Sequence, residues 1–156
     1  RNAAMNVPET EFKPRFAFER RIFFGDCDQL GIAFTGRITN FALEAIETFW
    51  DDLLSGRGWL FLLTERNTAM PFVSMDLQFH APVKAGANLA CEVYVVHVGE
   101  SSVGLKVVGR QHDLICFECE TKSVFRDAST FGKVKIESSI RQILLAEVGS
   151  ENQTVS

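Results

Sequence analysis

Apolar positions along the chain change period only a few times. Phe16, Phe18, Ile22 and Phe24 fall on one alternate set, interrupted by Arg20, which predicts a strand from Phe16 to Phe24. The stretch Gly25-Asp26-Cys27-Asp28-Gln29-Leu30-Gly31 breaks that pattern as a turn would. From Gly36 onward, Ala42, Ile46, Phe49, Trp50 and Leu53 recur at the spacing of one helical face, and the helix is expected to stop near Ser55-Gly56. Phe41, Leu43, Ala45 and Leu54 widen the apolar zone, so this helix should be enclosed on more than one side, as a sheet wrapped around it would do.

A short apolar connection from Trp59 to Thr64 leads into period two, with Val73, Met75, Leu77 and Phe79 alternating against Ser74, Asp76, Gln78 and His80. Three more strands are predicted at Leu89–Val98, Ser102–His112 and Leu114–Arg126, separated by short turns at Gly99-Glu100 and around Asp113. They should form an antiparallel meander. Ile140, Ile143 and Leu144, with Ser138 or Ser139 as N-cap, predict a short last helix, and the polar tail from Gly149 to Ser156 is expected to fray. No internal repeat is visible. The pattern is that of an α+β protein in which an antiparallel sheet wraps around one long central helix, as one domain over 1–156 with its core at about 14–136.

Composition narrows the function classes. A chain of 156 residues, 46% hydrophobic and 23% charged, can bury a core without disulfides or metals. Its longest uninterrupted apolar run, Trp59 to Leu63, is far short of the roughly 20 residues a membrane helix needs. The first residues carry no apolar segment of the secretory kind, so a cytoplasmic location is expected. Sixteen basic and 20 acidic residues, intermixed along the chain, argue against nucleic acid as a partner. Cys27 and Cys91 stand alone, and Cys116 and Cys119, three apart on a predicted strand, should point to opposite faces. With His80, His97 and His112 as widely scattered, no metal site is expected, only buried thiols in a reducing compartment.

The break at Asp26 to Gly31 is where chemistry could sit. An Asp between the end of a strand and the start of a helix can aim a carboxylate at a ligand carbonyl, while the first helical N–H groups stand free as donors. Hydrolysis of a thioester needs both: a base or nucleophile near the carbonyl carbon, and donors where negative charge develops on oxygen. The same two acids, Asp26 and Asp28, could equally do no more than cap the turn.

The segment Phe24-Gly25-Asp26-Cys27-Asp28-Gln29-Leu30-Gly31-Ile32-Ala33-Phe34 resembles the signature of the 4-hydroxybenzoyl-CoA thioesterase family of hotdog-fold proteins, most specifically in its Asp-x-Asp-x-x-Gly-Ile core. The likeness continues through Thr35-Gly36-Arg37, Met70-Pro71-Phe72-Val73-Ser74, Phe79-His80-Ala81-Pro82-Val83 and Val98-Gly99-Glu100-Ser101-Ser102-Val103. It implies a hotdog fold, a homodimer or homotetramer, and an acyl-CoA substrate hydrolysed without a cofactor, coenzyme A being part of the substrate. Carried over position by position, Asp28 is the catalytic carboxylate, as nucleophile or as general base, and the backbone N–H of Thr35, with Gly36 beside it, polarises the thioester carbonyl. Asp26 braces the turn, and Cys27, between two carboxylates, is rejected as a nucleophile.

Trp59, Met70, Pro71 and Phe72 align with residues that line the acyl or pantetheine site, though plain core packing would also account for them. The chain departs from its relatives in carrying Thr35 where some thioesterases have His, Ile38 in place of Tyr, and Leu43 where the 4-hydroxybenzoyl enzyme has an acid. Gly99-Glu100 replaces a basic pair that holds nucleotide phosphates, leaving Lys84, Lys106, Arg110, Arg126 or Lys133 for that task. Two other readings stand beside hydrolysis. A non-catalytic acyl-thioester binding module would tolerate loss of Asp28. A hotdog dehydratase would want a His near the helix, and the stretch from Gly36 to Leu54 has none.

Overall fold

A computed structural model describes residues 16–148. Its five-stranded antiparallel sheet comprises β1 (Phe16–Arg21), β3 (Phe72–Phe79), β4 (Asn88–Val98), β5 (Ser102–Gln111) and β6 (Leu114–Val124), in the order β1-β4-β5-β6-β3. The long helix α1 (Thr35–Leu53) packs on β1, β4 and β5. Ala42, Ile46, Phe49, Trp50 and Leu53 are all buried, as the helical spacing predicts, and so are Phe41 and Ala45. Edge-to-face contacts run from Phe16 to Phe49 (6.5 Å), Phe49 to Trp50 (5.6 Å) and Trp50 to Phe125 (6.2 Å), filling the space between helix and sheet. This is the hotdog arrangement.

Several expectations need correction. Residues Trp59 to Thr64 are not a connection but lie within a second helix, α2 (Gly58–Arg66), which packs against α1 and so provides the enclosure that the sheet alone does not. The run is apolar nearly all round, which hides helical periodicity, and Asn67 in the left-handed region (φ 48°) ends it. Gly58 begins it at φ +38°, where a Cβ would strike the Asp51 side chain. The first strand ends at Arg21, where its partner β4 begins at Asn88; beyond it Ile22 is buried, but Phe23 and Phe24 turn out to solvent in a short 3₁₀ turn.

In β3 the predicted inward set is largely uncovered: Val73 is 52% exposed, Met75 37% and Phe79 54%, because β3 is a sheet edge two strands beyond β5, the last strand that α1 packs on. The predicted strand Leu114–Arg126 divides into β6 and a two-residue β7 (Arg126–Asp127), which pairs with β2 (Thr68–Ala69). The last helix, α3 (Ser138–Glu147), has Glu137 rather than a serine at its N-cap. Cys116 and Cys119 are both buried, since a register shift inserts Cys116 as an extra residue opposite Gly109 and Arg110 and interrupts the alternation of β6. The tail from Gly149 lies outside the described residues. Among the described residues no helix is long and apolar enough to cross a membrane.

Gly109 is a packing requirement. It is buried in β5 opposite Phe117, and a Cβ there would overlap the Phe117 ring. Gly109→Ala is expected to cost about 1–3 kcal/mol in chemical denaturation through overpacking. Unchanged stability would show that the sheet yields more easily than this packing implies.

Candidate active site

The loop between β1 and α1 folds back on itself as a short ladder. The Phe34 N–H donates to the Asp26 carbonyl (3.2 Å), Cys27 bridges Ala33, and the Asp28 N–H donates to the Ile32 carbonyl (2.9 Å). Gly31, at φ +72°, allows the reversal, with its own N–H on the Asp28 carbonyl at 3.0 Å. Two ladder positions therefore separate the Asp28 pair from Phe34, the residue that precedes α1. Asp28 is half-buried, and its Oδ1 accepts the amides of Leu30 (2.8 Å) and Ile32 (3.2 Å). Both bonds use one oxygen, and Oδ2 has no partner among the described residues.

Helix α1 starts uncapped. Its N-cap residue is Phe34, no side chain bonds the first amides, and the first turn holds no acid. A Ser, Thr, Asp or Asn cap would contribute roughly 1 kcal/mol, which this chain forgoes. Among the described residues the amides of Thr35 and Gly36 meet no acceptor, and both residues are exposed. Thr35, Ile32 and Ile38 form one wall of an open cleft of about 350 Å³, whose other wall is the end of β3 and the segment from Phe79 to Val83. Asp28 is close by in the ladder but is not among the residues lining this cleft.

Trp59, Met70 and Phe72 come together elsewhere. They line an apolar pocket of about 210 Å³ with Leu62, Leu63 and Thr68, and the Trp59 and Phe72 rings meet edge-to-face at 6.0 Å. Pro71 sits half-buried between Met70 and Phe72. Arg126, paired with Ala69 across β7 and β2, stacks over Phe131 at 5.0 Å and donates to the Phe131 carbonyl. Phe72 and Phe79 are the two ends of β3, roughly 23 Å apart at about 3.3 Å per residue. Within one protomer the predicted site residues thus fall into two groups: Asp28, Thr35 and Gly36 at one end of β3, and Trp59, Met70, Pro71, Phe72 and Arg126 at the other.

Sequence reasoning missed the side chains beneath Asp28. Asp26 is only 3% exposed and takes four donors: Arg20 Nη1 (2.7 Å) and Nη2 (3.3 Å), the Phe23 amide (3.0 Å), and the guanidinium of Arg37. The Arg20 guanidinium, followed by that of Arg37, holds the Asp26 carboxyl well below the usual carboxylate range, against the opposing effect of burial. The signal that could have found this group was Arg20 itself, a charge on the inward set of β1. Burial, then the charges of Asp26 and Asp28, push the Cys27 thiol up, which disfavours a thiolate there. Burial likewise carries Cys91 to about 12 and Cys119 to about 11. Among the described residues no three His, Cys, Asp or Glu side chains are grouped to hold a metal ion.

Residues 30–118 match the family model described as the Thioesterase superfamily, and the chain belongs to that superfamily. A thioesterase superfamily protein from Jannaschia sp. CCS1 is 30% identical, with 86% of this chain and 94% of that one covered and a TM-score of 0.82. The gentisyl-coenzyme A thioesterase BH1999 is 22% identical over 83% of this chain and 99% of its own, with a TM-score of 0.70. A 1,4-dihydroxy-2-naphthoyl-CoA thioesterase from Synechocystis is 18% identical over 85% and 96%, with a TM-score of 0.72; at these identities the last two show a common fold. None of the curated proteins matches the chain.

The Asp26 cluster makes stability depend on pH. Because the folded carboxyl titrates lower than the unfolded one, at about 3.9, its stabilisation is complete above that value and is lost as pH falls below it. Urea unfolding from pH 6 down to pH 3 is expected to show a decline of up to about 1.4 kcal/mol per pH unit from this group, absent from Asp26→Asn. Parallel profiles for the two proteins would contradict the ion-paired assignment.

Proposed function

We propose that this protein is an acyl-CoA thioesterase of the 4-hydroxybenzoyl-CoA thioesterase kind, converting an acyl-CoA and water to a carboxylic acid and free coenzyme A. The observation that carries the reading is the pairing of a carboxylate, Asp28, with an uncapped helix start two ladder positions away, where the Thr35 and Gly36 amides await an acceptor. Donors left free at a helix N-terminus suit the oxyanion of a tetrahedral intermediate. The free Oδ2 of Asp28 either attacks the thioester carbon or takes a proton from the attacking water. As nucleophile, Asp28 displaces the coenzyme A thiolate and forms an acyl–Asp28 anhydride, which water then hydrolyses to release the carboxylic acid and restore the carboxylate; as base, it gives the proton it has taken to the thiolate that the tetrahedral intermediate expels. No cofactor enters, and the reaction suits a cytoplasmic enzyme.

The acyl group is read as apolar or aromatic. Trp59, Met70 and Phe72 line an almost wholly apolar pocket, and two structural neighbours are named for aromatic acyl-CoA substrates. That pocket lies at the wrong end of β3 to serve Asp28 of the same protomer. Antiparallel pairing of two β3 edges would bring the Phe72 end of one beside the Phe79 end of the other, so the site is read as lying between the protomers of a homodimer or homotetramer. Val73, Met75 and Phe79, left exposed on that edge, supply the apolar surface for it. Arg126, at the Phe72 end, is then a candidate for the coenzyme A moiety of a substrate bound across the interface.

The hydrogen bonds from Leu30 and Ile32 to Asp28 favour a second reading, a binding module in which Asp28 only shapes the turn. Asp28→Asn separates the two. Turnover is expected to fall by roughly 10²–10⁴ with acyl-CoA binding retained, whereas Thr35→Ala, which keeps the backbone N–H, should lose far less. A folded Asp28→Asn protein hydrolysing at the wild-type rate would establish Asp28 as a turn residue. Light scattering at micromolar concentration is expected to give a dimer or tetramer mass. A stable, active monomer would remove the interfacial site.

A further inference from the structure

We propose that Asp26, clamped by Arg20 and Arg37, is the positioning residue of this site, setting the separation between the Asp28 carboxylate and the first amides of α1. The inference rests on the catalytic reading of Asp28 given above. One residue holds both sides of the ladder. Its side chain takes Arg20 from β1 and Arg37 from the first turn of α1, and its carbonyl accepts the amide of Phe34, the N-cap of that helix. Asp28 follows two residues later and is fixed to the same ladder through its own N–H on Ile32.

Arg37 is the feature a plain turn would not need. A cation in the first helical turn works against the helix dipole, and here the buried carboxylate of Asp26 offsets it. Its Nε is buried with no partner among the described residues, a cost that native structures ordinarily avoid. Such local violations concentrate at functional sites. The two guanidiniums lie over the Phe41 ring at 4.6 and 5.8 Å from its centre, and Arg20 also pairs with Glu44 at 2.9 Å, so the clamp is seated on the buried face of α1. Two arginines against Asp26 and Glu44 balance the cluster's formal charge, and the role proposed for it is to fix geometry rather than to add net charge to the site. A displacement of about 1 Å between reacting groups can cost up to roughly 10²-fold in rate.

Arg37 is the more exposed arginine of the clamp, with its side chain 39% accessible, so Arg37→Gln should fold even if Asp26→Asn does not. In the full chain, Arg37→Gln is expected to lower kcat about 10- to 100-fold while KM for acyl-CoA stays within about threefold, and Arg37→Lys should recover part of the loss. Asp28→Asn is assayed alongside. If Asp28→Asn is inactive but folded Arg37→Gln keeps wild-type kcat, the positioning role is overturned and the catalytic reading stands. If Arg37→Gln raises KM with kcat unchanged, Arg37 contacts substrate and the role is again overturned. If Asp28→Asn retains wild-type turnover, both fall together.

Discussion

A carboxylate with almost no access to water has to be satisfied within the protein, and the region around the candidate site is arranged to satisfy Asp26. Meeting that need draws Arg20 across from the first strand, Arg37 down from the first helical turn and the Phe23 amide in from the loop. The chain between them has little freedom left. It reverses at Gly31, closes the ladder from Asp26 to Phe34, and launches α1 without a cap. The charge that stabilises the turn is thus distinct from the charge assigned to the chemistry, with Cys27 buried between the two.

The second constraint is the unfinished edge of the sheet. Helix α1 covers β1, β4 and β5 and leaves β3 outside its shadow, while α2 closes a different side of the core. Val73, Met75 and Phe79 consequently have the alternation of a buried face and the exposure of a free one. This mismatch between sequence alternation and exposure in one protomer is what supports the proposed second copy.

Much of the fold was legible because the signals were long. Nineteen residues of helix with one apolar stripe, and three strands of ten or eleven residues with period two, leave few alternatives. Helix α2 escaped because its five consecutive apolar residues, Trp59 to Leu63, circle the helix and hide its period, and the end of β1 was misplaced because Phe23 and Phe24 continue an apolar pattern after the partner strand has stopped. At the candidate site, the Asp-x-Asp segment was visible as a motif, and Thr35 and Gly36 were carried over with it from the family resemblance. The partners of Asp26 were not visible, because Arg20 and Arg37 are brought together by the fold, six residues before it and eleven after. Nor could spacing show that the apolar pocket and the acid stand at opposite ends of one strand.

The proposed function requires that this superfamily member turn over acyl-CoA rather than merely hold it. Continuous measurement of free thiol released from a panel of aromatic and aliphatic acyl-CoAs tests that claim most directly. Steady multiple turnover is expected, fastest with apolar or aromatic acyl groups. Saturable binding of the same compounds with no thiol released above the uncatalysed rate would contradict it.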